Sequence, residues 1–580
     1  MNSYSYQPIG KTEKYINLIG SFLIISLIVF SFFNSLIIGL SWDEYFHHIN
    51  GLARFEYLKT LGEFQKYNFR NNMYYPGLYD TISYAIGYIV LLFDQNFYRN
   101  YFPEIIHSIN FLFSALSIFG FYLILKIFFN KSIAILASLL TLLNPFFFGH
   151  MGMNTKDIII FFALIWFCYF FYKYIKYEKK IYLNLILTSF FIGFGCGVRL
   201  TFLVIVFPVI ICGLIYLFNK SKGQYLNVIK RLIAHSMLAS LIIILLTIIC
   251  WPHMLAVIEA ENTFKFISLI IKKTIAWNQG PKIGLMNGSF YEVFNTPPAY
   301  FLDVLRFRMP FYWSLLMLFT FLLLITKTIF FKNHIDNFNN KFIVIIIIAF
   351  FPILLAISLS ASIYDNMRLF LFVVPFFCLL ASFSLYFFLK NFTNSFKSKL
   401  CIILILFFFS NSMYRFISLT PYQYTYVNFS YLKIKDSMNK FEHDYWGTSY
   451  KELIKKIKNT YSQSEINEFR ISECGGGDMT LVYYLNKYLN IKKTYDEYKK
   501  GDATHILGNN RAILHLDHLD LSNLKSTTKL IYNDELEQII RSDGVKQTCH
   551  NFERFKGEDL ITVSRDGLTM SVFRKLQKDN

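Results

Sequence analysis

Eleven apolar runs, each long enough to cross a bilayer, constrain this chain more than any other feature. A helix that spans hydrocarbon needs about 20 predominantly apolar residues, with a range of roughly 17–25, and a helix is one of only two backbones that satisfy their own polar groups there. The runs fall at 15–40, 105–128, 132–150, 158–177, 182–199, 200–218, 234–251, 310–327, 342–360, 369–389 and 400–418. Hydrophobic residues make up 54% of the 580 and charged ones 16%, against roughly 25% charged in soluble domains. Disorder, a coiled coil and a collagen-like fibre are excluded, since each needs charge, heptads or Gly-Pro repeats. No internal repeat or low-complexity linker occurs. The expected fold is a polytopic α-helical membrane protein of about 11 transmembrane helices.

Charge orients those helices. The net charge is +19, which on a soluble protein would suggest nucleic acid. Residues 421–580 hold 24 Lys+Arg against 22 Asp+Glu, so +17 belongs to residues 1–420, between apolar segments. With the N-terminus in the cytoplasm, the inward segments carry 18 basic residues against Glu13, Glu178 and Asp336. The positive-inside rule accounts for this bias and leaves the tail extracytoplasmic; no nucleic-acid partner is expected. The chain divides into a membrane domain, 1–420, and an extracytoplasmic C-terminal domain, 421–580. The first span lacks a convincing small-residue cleavage site and reads as a signal anchor.

Two stretches need separate treatment. Leu78 to Phe93 is apolar but only 16 residues long, and counting it as a span would invert every later loop. It is assigned to the interface or to a re-entrant segment. The run 182–218 is read as two spans, broken at Gly193, Gly195, Gly197 and Arg199. Six cysteines, Cys168, Cys196, Cys212, Cys250, Cys378 and Cys401, lie in spans and behave as small apolar residues. Cys474 and Cys549 lie outside, where an oxidising compartment permits a bridge.

Three segments outside the spans exceed ordinary connectors: 41–104, 252–309 and 419–580. The first opens Ser41-Trp42-Asp43-Glu44-Tyr45-Phe46-His47-His48. Two carboxylates at a membrane boundary are costly unless solvated, paired or used. On a helix Asp43 and His47 stand one turn apart, an arrangement that polarises an imidazole or binds a metal. A solvated helix start, with acids favoured by the helix dipole, explains the pair equally well. No further ligand follows at metal spacing, so no metal is expected.

A second acid faces the same compartment. Asn144-Pro145 precedes Asn154-Thr155-Lys156-Asp157, which opens the fourth span; there Thr155 or Asp157 also suits a helix cap. Outer-boundary arginines complete the set: Arg199, Arg306, Arg308 and Arg368. Singly, each suits a snorkelling or paired arginine. Together with the acids they suit a phosphorylated lipid, because guanidinium binds phosphate bidentately.

In these features the chain resembles membrane glycosyltransferases of the GT-C class, in the group of protein O-mannosyltransferases (glycosyltransferase family 39) and bacterial aminoarabinose and Rgt-type transferases. The resemblance rests on Asp43-Glu44, Asn144-Pro145 with Lys156-Asp157, Gly195-Cys196-Gly197-Val198-Arg199, Thr296-Pro297-Pro298-Ala299-Tyr300 and Asp365-Asn366-Met367-Arg368. It extends through Pro421-Tyr422-Gln423-Tyr424 and Asp444-Tyr445-Trp446-Gly447-Thr448-Ser449, covering roughly residues 15–450. It implies transfer of a sugar from a polyprenyl-phosphate donor to a protein, lipid or glycan acceptor on the outer face, with inversion and without a cofactor. By matching position Asp43 is the general base, Glu44 orients acceptor or base, and Asp157 positions substrate or tunes Asp43 electrostatically. Arg368, Arg199 and Lys156 hold the donor phosphate. His47 and His48 map less closely and are assigned to acceptor or sugar binding. The chemistry agrees: an oxocarbenium-like transition state needs a base for the acceptor hydroxyl and cations for the departing phosphate.

The tail is expected to form a small α/β domain that recognises acceptor or partner. Lys451 to Lys458 reads as a helix, Phe469 to Ile471 as a strand, and Leu560 to Lys575 as a hairpin turning at Asp566-Gly567. Cys474-Gly475-Gly476-Gly477-Asp478 lacks the Lys-Ser/Thr of a phosphate loop; Asp478 fits a helix cap. A transporter or flippase of a lipid-linked substrate competes with the enzyme, but predicts charges at mid-membrane and inverted repeats. An inactive relative retaining the fold would separate from the enzyme only by assay. The expected setting is a bacterial inner or plasma membrane.

Overall fold

A computed structural model describes residues 10–60, 76–221, 223–251, 265, 268, 283–287, 289–293, 296–393, 395–432, 441–474, 478–492, 494, 503–509 and 556–577. Helix α1 (Lys11–Ile37) leads to α2 (Trp42–Lys59), α3 (Leu78–Phe93) and α4 (Gln95–Phe128). There follow α5 (Lys131–Leu142), α6 (Pro145–His150), α7 (Asp157–Lys176), α8 (Ile181–Val198), α9 (Phe202–Lys220) and α10 (Tyr225–Cys250). After a hairpin of β1 (Ile283–Met286) and β2 (Ser289–Glu292) come α11 (Ala299–Arg308), α12 (Phe311–Thr326) and α13 (Phe338–Ser358). A 3-10 turn, Arg368–Val373, runs into α14 (Val374–Lys390), and α15 (Phe396–Ser418) ends the bundle.

Among the described residues, nine helices are long and apolar enough to cross a membrane, or ten if the bent pair α11–α12 counts as one span. Their outward faces are apolar: α1 exposes Leu18, Phe22, Ile25 and Phe33, and α10 exposes Ile233, Met237 and Leu241. Apolar surface on that scale needs lipid to cover it. The protein is an integral membrane protein.

Two of the eleven expected spans are shorter than the sequence suggests. The third breaks because the Asn144 side chain accepts from Phe147 N (3.1 Å) and Pro145 starts a new helix; α5 is left with 12 residues. The eighth, α12, has 16 residues and is bent by 116° from α11. Pro310 holds Met309 extended (φ −97°, ψ 145°), so no helix runs through. The break between α8 and α9 falls at Arg199–Thr201, after the glycines. Leu78 to Phe93 is a helix packed on α2 and α4, and α4 begins ten residues earlier than expected, kinked at Tyr101 ahead of Pro103.

The ends of the helices fix where chemistry can occur. Glu13 at the start of α1 meets Lys390 at the end of α14 (2.8 Å). At the opposite end, the close of α1 and the starts of α2, α7 and the Arg368 turn converge. The tail docks there too: Lys451 Nζ donates to Leu36 O and Ile38 O and pairs with Glu104 at 3.0 Å. Leu40 N donates to the Tyr484 hydroxyl (2.7 Å).

The tail is the small α/β unit expected. Helix α16 (Tyr450–Thr460) precedes β3 (Ile471–Cys474), α17 (Asp478–Leu489), β4 (His505–Asn509), β5 (Gly557–Arg565) and β6 (Leu568–Leu576). The sheet order is β3-β4-β6-β5, with β3 and β4 parallel and the other pairs antiparallel. Asp566 (φ 52°) and Gly567 (φ 76°) form the two-residue turn of the last hairpin. Cys474 is disulfide-bonded; Cys549, its expected partner, lies outside the described residues.

Candidate functional site

Arg368 is the centre of a charged cluster at the end of the bundle where the tail docks. Its guanidinium bonds Asp43 (Nη1–Oδ2 2.8 Å), meets Asp365 (Nη2–Oδ2 3.2 Å) and lies 3.9 Å from Asp157 Oδ2. Arg199 pairs with Asp157 from the other side, at 2.7 Å. Four of the expected residues (Asp43, Asp157, Arg199 and Arg368) therefore meet at one point, brought there by α2, α7, the α8–α9 break and the turn before α14. Asn154 fixes Asp157, accepting from its backbone N (2.7 Å) and donating to Oδ2 (3.1 Å).

The backbone ahead of Arg368 is built for this position. Asp365 (φ 55°) and Asn366 (φ 63°) are consecutive left-handed residues, a conformation that Asp and Asn tolerate best among residues with side chains. Such strained turns persist where the surroundings hold them, often at functional sites. Rings of Tyr364 and Trp446 lie 5.1 and 4.8 Å from the guanidinium carbon, and burial pushes the Tyr364 phenol up, against the opposing pull of Arg368. Trp446 arrives from the tail. Asp444 accepts from Thr448 N (3.0 Å), from Ser449 N (3.1 Å) and from the Tyr424 hydroxyl. This knot holds the 444–449 loop, and Trp446 O accepts from Trp42 N (3.2 Å) at the start of α2.

Exposure separates the acids. Asp43 leaves 45% of its side chain exposed, Asp157 and Asp365 only 2% each. Of these three, Asp43 alone is substantially exposed. The cluster of three carboxylates and two guanidiniums carries a formal −1, so an anion binding there competes with the carboxylates for the guanidiniums.

Glu44 belongs to a different network. Its carboxylate accepts from Ser41 N (2.7 Å), from Asn110 Nδ2 (3.2 Å) and from His107 Nε2 (3.1–3.2 Å), while His107 Nδ1 faces Ser35 O (2.7 Å). Glu44 thus ties the first turn of α2 to α4. Lys156 caps α7, with its N donating to Asn154 Oδ1 (3.0 Å), and its charge acts on Asp80. His47 pairs with Asp80 rather than Asp43, at 3.0 Å. His48 sits among Tyr84, Tyr98 and Phe102, where burial pushes its pKa down to about 4. Among the described residues no three His, Cys, Asp or Glu side chains could hold a metal ion.

Arg308 corrects one expectation. It is fully buried and donates to the carbonyls of Thr425, Tyr426 and Glu442, which clamps the loop after α15 and leaves it outside the Arg368 cluster. Arg306 lies over the Phe307 ring, 4.9 Å away. Sequence reasoning missed Asp365, Tyr364 and Trp446 as parts of the site, although Asp365 and Trp446 stand in motifs that carried the resemblance and Tyr364 directly precedes one of them. It also missed Asp80, buried in an apolar run, and His107, an isolated histidine at the start of the second expected span.

Residues 81–251 match the family of dolichyl-phosphate-mannose-protein mannosyltransferases. The resemblance to GT-C glycosyltransferases holds. The matched segment contains Asp157 and Arg199 and supports a glycosyltransferase. No curated protein sequence matches the chain. Among solved structures, ArnT from Cupriavidus metallidurans in the apo state aligns with a TM-score of 0.48 at 11% identity, over 95% of this chain and 97% of that one. The oligosaccharyltransferase AglB from Archaeoglobus fulgidus, in complex with an inhibitory peptide and a dolichol-phosphate, aligns with a TM-score of 0.42 at 12% identity, over 86% and 69%.

Proposed function

We propose that this protein transfers a sugar from a polyprenyl-phosphate donor to a protein, lipid or glycan acceptor at the outer face of the membrane, with inversion at the anomeric carbon. The observation that carries the reading is the convergence of Asp43, Asp157, Arg199 and Arg368 at one end of the bundle. A lipid phosphate arriving at this depth takes up Arg368, whose donor fork matches phosphate oxygens. Asp43 is thereby released as it is needed. Its carboxylate takes the acceptor proton, the acceptor oxygen bonds the anomeric carbon, and the carbon–oxygen bond to phosphate breaks with its electron pair on the lipid phosphate. Arg368 and Arg199 stabilise that developing charge. Asp157 keeps both arginines in place, and Glu44 positions Asp43 by tying α2 to α4. Lys156 adds positive charge beside the phosphate.

Residues 1–420 form the transferase in this reading, and residues 421–580 an extracytoplasmic domain that frames the acceptor entrance through Trp446. The positive-inside bias supports that orientation. The test is incubation of the purified protein with a panel of polyprenyl-phosphate sugars, following release of free lipid phosphate. Release with at least one donor is expected. Transport of lipid-linked sugar across vesicles without cleavage, and no release from any donor, would instead favour a flippase.

A further inference from the structure

Helix α2 carries a second set of polar groups. Asp43, His47, Asn50 and Arg54 follow one another at intervals of four, three and four, which puts them on one helical face. Facing them, α3 supplies Asp80. His47 Nδ1 lies 3.0 Å from Asp80 Oδ2 and Arg54 Nη1 lies 3.5 Å from the same oxygen; the three side chains are 7%, 6% and 1% exposed. Two glycines make room for the arrangement. A Cβ at Gly51 would stand 2.2 Å from the Asp80 carbonyl oxygen, and one at Gly77 would stand 2.3 Å from the Arg54 guanidinium. The backbones are as close as glycine permits, so the pair is built in rather than incidental.

A buried carboxylate needs a counter-ion, and Arg54 supplies one. His47 gives Asp80 something else to do. A carboxylate that accepts the Nδ1 proton fixes the tautomer and leaves Nε2 as the basic nitrogen. Among the described residues no group bonds that Nε2. One turn along the same face stands Asp43, the most exposed acid of the Arg368 cluster. The charged groups around the ring are Asp43 and Arg54 from α2, Asp80 from α3, and Lys156 at the start of α7, whose charge acts on Asp80.

We propose that His47 is the proton-relay residue of the transfer site, held in its working tautomer by Asp80 and Arg54 as positioning residues; this rests on the sugar-transfer reading above. The acceptor oxygen bonds the anomeric carbon as the bond to phosphate breaks, with the electron pair leaving on phosphate. The acceptor proton passes to Asp43 and from Asp43 to His47 Nε2, giving an imidazolium opposite the Asp80 carboxylate. Asp43 is then ionised again when the lipid phosphate leaves, and returns to Arg368. The imidazolium loses its proton to water.

The experiment is a double-mutant cycle on the purified full chain with a donor that the wild type uses. It compares His47→Gln and Asp80→Asn, each alone and combined with Asp43→Asn, and reads kcat, donor KM and melting temperature. Each single variant should lower kcat by roughly 10- to 100-fold. His47→Gln should hold donor KM within about twofold and melting within a few degrees of wild type, whereas Asp80→Asn, which removes a counter-ion of buried Arg54, should also melt lower. In the Asp43→Asn background His47→Gln should cost less than about twofold more, because both residues serve one proton. The same factor in both backgrounds, or a change in KM or melting alone, makes His47 structural and overturns the relay. Should Asp80→Asn fail to fold, His47→Gln decides the matter alone. Wild-type protein that cleaves no donor defeats the transfer reading itself, whereas an active wild type with an unaffected His47→Gln defeats only the relay.

Discussion

Arg368 Nη1 holds Asp43 Oδ2 at 2.8 Å, a bond between residues 325 positions apart. In the sugar-transfer reading, the group that accepts the proton and the group that holds the departing phosphate neutralise each other when no donor is bound. The donor phosphate is the natural competitor for the guanidinium. Binding of donor and release of the base are then one event, and an acceptor that arrives first meets a base still occupied.

The contact between α2 and α3 depends on Gly51. Its Cβ position lies 2.2 Å from Asp80 O and 2.9 Å from Tyr84 Cβ. Gly51→Ala should destabilise the protein by about 1–3 kcal/mol, the usual cost of overpacking, and lower transfer with it. Gly10→Ala is the control, since nothing lies within 4 Å of that position. Thermal melting in detergent reads both, and equal melting curves would mean that the helices separate freely.

Acid should loosen the tail at Glu452. Burial raises its carboxyl, but Arg565, 2.6 Å away, with Tyr422 and Lys456, outweighs this and holds it below its ordinary 4.5. A depressed carboxyl stabilises the fold fully above its unfolded value and loses that contribution as pH falls through the folded one. Wild type should therefore melt higher than Glu452→Gln at pH 7, with the gap narrowing as pH falls below 4.5 and through the depressed folded value. A gap independent of pH would assign the effect to packing.

Orientation has its own test. A reporter fused after Ser430, active only outside the cytoplasm, should report activity. Signal on the cytoplasmic side would reverse the bundle and take Asp43 and Asp157, which share Arg368, with it.

Much of this was legible in the sequence because hydropathy and basic loops are local signals. The spans, the α8–α9 break, the tail hairpin and the acids Asp43 and Asp157 could be read in order along the chain. The break at Asn144-Pro145 was visible as a proline, yet hydropathy averaged across it, whereas Pro310 already stood at the start of the eighth expected span. Pairing was not legible. Glu44 and Asp43 are adjacent, but successive positions on a helix point about 100° apart, so one turns to His107 and the other to Arg368. His47 was matched to Asp43 by helical spacing, whereas its partner, Asp80, lies 33 residues away inside an apolar run where a charge looks like a solubility accident. Arg308 and Arg368 look alike as boundary arginines, and only the carbonyls around Arg308 show that it is a clamp.

The measurement that bears most directly on this account is single-turnover sugar transfer, with donor binding measured alongside, for wild type, Asp43→Asn and Arg368→Ala. Asp43→Asn should lose roughly 10²–10⁴-fold in rate while binding donor at least as well as wild type, since Arg368 is freed from its competing carboxylate. Arg368→Ala should bind donor more weakly and transfer more slowly, having lost a charge-assisted contact to the phosphate. Wild-type transfer by Asp43→Asn, or donor binding untouched by Arg368→Ala, would contradict it.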